Sequence, residues 1–116
     1  MAAMGLEVKK YQLGPMTVEI RDGHAYLEST NTLAGSVVTM DSCVKYFHQA
    51  TRCTIVEALE AATLHPALLL GITDNHGTLN FGTLADFTML DDNLNVRSTW
   101  ISGQCVWKHQ DCQVIL

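Results

Sequence analysis

Five histidines, His24, His48, His65, His76 and His109, are the side chains in this sequence best suited to metal or proton chemistry. No two of them are set as His-x-His, or as His-x-x-x-His around a carboxylate, so spacing alone makes no metal site of them. His65 stands out because Pro66 constrains the backbone beside it, although a histidine at a helix break commonly caps or packs. Asp91–Asp92–Asn93 has the composition of a turn. Asp86, ahead of an apolar run, suits hydrogen bonding to local backbone where a strand begins. The sequence shows no nucleophile elbow, no Walker-type glycine loop and no paired-carboxylate signature. Cys43, Cys53, Cys105 and Cys112 include no Cys-x-x-Cys pair and read as free, buried thiols.

A ligand-binding stretch is the remaining option, and Asn31 to Met40 offers one: small residues that lead into a helix. Gly35 lacks a Cβ, so its backbone is free to take positive φ and to let another molecule approach. Ser36 and Thr39 are both N-cap candidates before the apolar period that begins at Met40. Exposed N–H groups at such a start can hold an anion or a polar ligand, while an ordinary helix start is the plainer reading of the same residues.

Several elements must position this stretch. Residues 1 to 15, with Gly5, Gly14 and Pro15, carry little period and read as loop. Val18 to Arg21 and His24 to Leu27 flank Asp22–Gly23, a dipeptide suited to a type I′ hairpin turn. Met40, Cys43, Val44 and Phe47 fall at helical spacing and predict an amphipathic helix of about three turns. Thr54 with Glu57 forms a capping box for a second helix from Ile55 to about Leu64, which Pro66 ends. Ala67 to Leu70 follows as a short helix closed by Gly71. Beyond it, Phe87 to Leu90, Val96 to Ile101 and Cys105 to Trp107 read as strands, the last two joined at Ser102–Gly103. Leu33 to Gly35 are expected in an exposed or cavity-facing loop, and Val44, Phe47, Leu59 and Ala62 in the interior.

Composition narrows the function classes. The 116 residues suit one small domain, and 7 basic against 12 acidic residues give a net charge of −5. The basic residues are scattered, which argues against nucleic acid as a partner. Hydrophobic residues make up 47% and charged ones only 16%, with a mean hydropathy of +0.11, so the chain is apolar enough to expect neighbours. The longest apolar run, Ala67 to Ile72, is too short for a bilayer, and the N-terminus lacks a signal-peptide core, so a cytoplasmic setting is expected.

Three stretches resemble the C-terminal part of the N-acetylglucosamine-6-phosphate deacetylases, members of the amidohydrolase superfamily. They are Thr32 to Ser36 with Thr39 and Met40; Ala61 to Ala67 with Leu70 and Gly71; and Gly77 to Leu79 with Gly82 and Ala85 to Phe87. The last two patterns are widespread in the superfamily, and the first points to the sugar-phosphate deacetylases. Ser102–Gly103 resembles the family's closing Asn-Gly hairpin.

The resemblance implies an α/β chain, with residues 1–73 as the last loop, hairpin and helices of a metal-dependent (β/α)8 barrel. Residues 74–116 would be the C-terminal strands of its small β-sandwich. It implies that Leu33, Ala34 and Gly35 bind the sugar phosphate, on a loop of the kind that carries TIM-barrel chemistry. It also implies a divalent metal in the intact enzyme, with none bound by this chain, because Met1 to Leu6 resembles the run just after the catalytic aspartate. That aspartate and the metal-binding glutamate and histidines would lie upstream, leaving no catalytic residue here and an inactive isolated chain. A homodimer is among the assemblies open to the intact enzyme. Two other readings are a non-catalytic sugar-phosphate-binding or interaction protein of the same descent, and an amidohydrolase with another substrate.

Overall fold

The computed structural model describes residues 9–111; the Met1 to Leu6 run and Cys112 lie outside them. The chain divides into two compact units, Met1–Cys43 and Val44–Leu116.

The first unit is a four-stranded antiparallel meander, β1 (Lys10–Leu13), β2 (Met16–Arg21), β3 (His24–Leu27) and β4 (Leu33–Gly35), in that spatial order. The β2–β3 hairpin forms as expected: Asp22 and Gly23 both take positive φ, 51° and 73°, which is the type I′ requirement, and Arg21 faces His24. Strand β1 corrects the reading of residues 1 to 15 as loop. Gly14, at φ 59°, and Pro15 make a two-residue turn that pairs Leu13 with Met16, and this local turn chemistry outweighs the weak period. Along β2 the side chains alternate, so Val18 and Ile20 are buried on one face and Thr17, Glu19 and Arg21 are half-buried on the other, while Met16, at the start of the buried face, is exposed. Ile20 and Ala25 form a small core with Tyr11 and Val37 against it.

Helix α1 (Met40–Thr51) leads into the second unit, which adds α2 (Ile55–Ala62), α3 (Leu64–Leu70) and the antiparallel sheet β5 (Phe87–Leu90), β6 (Val96–Ile101) and β7 (Gln104–Lys108). The capping box is present, with the Thr54 hydroxyl accepting from the Glu57 N–H and the Glu57 carboxylate accepting from the Thr54 N–H. Helix α2 stops at Ala62, two residues short of the expected limit. Pro66 falls in the first turn of α3, where a missing N–H leaves no bond unmade. Gly71 closes α3 in the left-handed conformation at φ 67°. Ser102 and Gly103, both at positive φ, turn β6 into β7.

The core of this unit is Val44, Ala58 and Leu94, with Cys53, Leu59, Ala62 and Leu90 half-buried around it. Phe47 was expected inside and is 45% exposed. The helical period marks a face of α1, but only Val44 of that face meets the cluster, and periodicity does not say what covers the rest. Cys105 is likewise exposed, on β7. No helix among the described residues is long and apolar enough to cross a membrane.

Gly77 is the tightest backbone approach of the second unit: a Cβ there would lie 2.5 Å from the Ala67 Cβ, and its φ is 88°. Gly77→Ala is therefore expected to destabilise this unit by about 2–3 kcal/mol, against about 1 kcal/mol for Gly71→Ala, whose Cβ meets open space. Denaturant unfolding of both variants checks the order; equal losses would show that Ala67 yields.

Asp91 supplies a second test. Its carboxylate accepts from the Asn95 side-chain amide and from the backbone N–H groups of Asn95 and Asn93, which holds its pKa below the ordinary 3.8, the Asn95 bonds leading. A pKa depressed by folding means stability that is fully present above 3.8 and is lost as the pH falls through the folded value. An NMR titration should find Asp91 ionising below that ordinary value and the Asn95 amide following it, and Asp91→Asn should abolish both.

Candidate functional site

Leu33, Ala34 and Gly35 do not sit in a loop but form β4, the outermost strand of the first sheet. The loop expectation is corrected for a physical reason: Tyr26 and Ala25 offer ladder partners to Leu33 and Gly35, so these small residues pair with a sheet edge. Two residues of β3 oppose three of β4. Ala34 is thus the extra residue of a β-bulge, a device that re-aims side chains at sheet margins. The accessibility expectation is met, because Leu33 and Gly35 are exposed and Ala34 half-buried. Gly35 is nearly extended at φ 158°, and a Cβ there would meet nothing within 4 Å, so its backbone face is open to another molecule.

The turn that feeds β4 is heavily bonded. Leu27 N–H donates to the Thr32 carbonyl at 2.9 Å, and Thr30 returns both its N–H and its hydroxyl to the Leu27 carbonyl. Arg21, at the end of β2, donates from Nη2 to the Thr30 carbonyl and to Asn31 Oδ1, the latter at 2.9 Å. Its guanidinium carbon stands 4.4 Å from the centre of the Tyr26 ring, a cation–π contact. The Nε of Arg21 is buried without a hydrogen-bond partner. Lys10 reaches the first residue of the turn, Glu28, at 2.6 Å, and that hydrogen bond and then the opposite charge raise the lysine pKa. Sequence reasoning passed over Arg21. Its signal is the register: an arginine beside the Asp22–Gly23 turn, on the strand next to an aromatic one.

Downstream, Ser36 Oγ accepts from the Val38 N–H, and the Thr39 hydroxyl is bonded to that of Ser42 at 2.9 Å. Neither hydroxyl bond supplies the expected cap to α1; the Thr39 carbonyl instead accepts from Cys43 N–H.

The histidines disperse. His24 bonds the Asp22 carbonyl, His48 the Cys53 carbonyl, His76 lies 3.7 Å from the Asp86 carboxylate, and His109 lies 3.6 Å from that of Asp111. His65 is exposed on α3. Among the described residues, no three of His, Cys, Asp and Glu come together as metal ligands. Asp86 does bond backbone, but not locally: it accepts from Ser102 N–H at 2.7 Å, tying the start of β5 to the β6–β7 turn. Helices α2 and α3 and the face of β5 and β6 also border an open apolar cleft of about 640 Å³, with Leu59, Leu70, Phe87 and Trp100 in its walls and His76 and Asp86 beside it. Phe87 stacks on Trp100 at 5.5 Å there.

The N-acetylglucosamine-6-phosphate deacetylase of Danio rerio is 54% identical over 91% of this chain, which spans 26% of that protein. The crystal structure of N-acetylglucosamine-6-phosphate deacetylase from Thermotoga maritima superposes with a TM-score of 0.80 at 35% identity, covering 94% of this chain and 30% of the other. A Mycobacterium smegmatis deacetylase in complex with N-acetyl-D-glucosamine-6-phosphate gives 0.76 at 32% identity, over 91% and 28%. The chain thus spans about a quarter of the length of the curated relatives it matches. Residues 21–106 match the amidohydrolase family over most of the chain, and this mixed α/β chain belongs to that family.

Proposed function

We propose that the intact protein hydrolyses the acetamide of N-acetylglucosamine 6-phosphate, giving glucosamine 6-phosphate and acetate in cytoplasmic amino-sugar metabolism. The observation that carries this reading is the 54% identity, over nearly the whole chain, to a relative named for that reaction. In this reading, residues 1–73 form the last loop, hairpin and helices of the catalytic (β/α)8 barrel, and residues 74–116 the closing strands of its β-sandwich. Leu33, Ala34 and Gly35 contribute to binding the sugar phosphate. An exposed edge strand that ends in Ala34 and Gly35 suits that role, since its backbone groups and the open face of Gly35 can meet hydroxyl and phosphate oxygens.

The described residues do not fit a metal, because no three ligating side chains converge among them. The divalent ion that family resemblance implies is assigned to residues outside this segment. What this chain supplies is substrate contact and support.

Acetate release by the intact protein tests the reading, with N-acetylglucosamine 6-phosphate, its C4 epimer N-acetylgalactosamine 6-phosphate and unphosphorylated N-acetylglucosamine compared. The first should have the highest kcat/KM; preference for the epimer, or indifference to the phosphate, overturns the substrate assignment. The 116-residue chain by itself should release no acetate with zinc, manganese or cobalt supplied. Metal-dependent turnover by it, host deacetylase excluded, would redirect the search to His24, His48, His65 and His76. In the intact enzyme Gly35→Val should raise KM about tenfold by obstructing approach. An added Cβ meets nothing in the chain itself, so an unchanged KM removes Gly35 from the site.

A further inference from the structure

We infer that Arg21 is a positioning residue for Leu33–Gly35. Held over Tyr26 and bonded to the Thr30 carbonyl and the Asn31 side chain, its guanidinium sets where the edge strand presents its backbone. The inference rests on the reading that Leu33–Gly35 contact the sugar phosphate.

Strand β4 cannot place itself. It is three residues long, pairs on one side only among the described residues, and carries a bulge at Ala34, so its ladder is short and interrupted. Its position therefore depends on the turn before it, where Ser29 takes a left-handed φ of 59°. Thr30 and Asn31 of that turn are the two residues Arg21 bonds. The aromatic ring beneath the guanidinium belongs to Tyr26, the register partner of Leu33. Arg21 thus grips the chain just before β4 and rests on the residue opposite its first position.

The same contacts commit most of the fork to the chain itself. Its Nη2 bonds two acceptors, and Nε is buried. A planar fork that stacks and bonds at once is what arginine supplies and lysine does not. Burial of Nε without an acceptor carries a desolvation cost that the stacking and the two bonds offset. The side chain is therefore fixed in one place, as a positioning group must be.

The test uses the intact deacetylase containing this segment, with N-acetylglucosamine 6-phosphate as substrate. Arg21→Ala should raise KM about tenfold and leave kcat within about twofold, the signature of lost binding without lost chemistry. Arg21→Lys should behave the same way. In Arg21→Ala, hydrogen exchange at the amides of Leu27 and Thr30 should quicken by about tenfold or more, while Ile20, bonded to the Lys9 carbonyl on the far side of the sheet, should not change.

An unchanged KM in Arg21→Ala, with Gly35→Val raising it, overturns the inference and leaves the binding reading standing. If Gly35→Val is also silent, the segment does not meet substrate and both fall. Full affinity in Arg21→Lys would mean that charge alone acts, as in direct phosphate binding, and overturns positioning. A raised KM with unaltered exchange at Leu27 and Thr30 does so too. Should Arg21→Ala fail to fold, Asn31→Ala, which removes one acceptor from an exposed residue, decides by the same two readouts.

Discussion

Register is the constraint on which the rest of this structure depends, and two-residue turns set it. A slip of one residue in a strand moves its apolar set to the opposite face, and here the buried sets are small. Val18 and Ile20 face inward because Asp22 and Gly23 both accept left-handed backbone and so align Arg21 with His24. Gly14–Pro15 fixes Tyr11 against Val18 on the other side, and Ser102–Gly103 sets Ile101 opposite Gln104 in the second sheet. The stacking of Phe87 on Trp100 follows from the register of the neighbouring pair, since the two are partners across β5 and β6. Ser98, on the same strand, is fully buried and is satisfied by the indole N–H of Trp100 at 2.9 Å.

Features with local causes were legible in the sequence. The Asp22–Gly23 hairpin, the Thr54–Glu57 capping box, the Gly71 helix end and the Asp91 turn each arise from side chains and backbone within a few residues, and each is present. What escaped depends on partners distant in sequence. Strand β1 has almost no period of its own and exists because β2 pairs with it. Asp86 reaches Ser102, sixteen positions on, where local chemistry suggested a nearer partner. Phe47 lies on the face its period assigns but stays outside the core cluster of the second unit, 45% exposed.

The candidate site followed the same rule. Small residues at Leu33 to Gly35 foretold an accessible backbone, which is what the structure has. That they form a strand was hidden, because a three-residue edge strand takes its identity from β3. Arg21 was hidden more deeply: nothing about a lone arginine says that it will bridge to Thr30 and Asn31 until the hairpin brings them together. The five histidines are dispersed, and no three ligating side chains come together among the described residues.

The meander topology has a kinetic consequence. In both sheets every strand pairs with the strand next to it in sequence, and the hairpins close over two residues at Gly14–Pro15, Asp22–Gly23 and Ser102–Gly103. Loop closure costs little at such separations, so pairing outward from each turn requires no search for remote strands. A chain built this way can complete each sheet as its residues leave the ribosome, in the order in which they are made. Strand β4 is reached through the longer 28–32 turn and follows Arg21 and Tyr26 in the chain, so the residues that meet it are made before it.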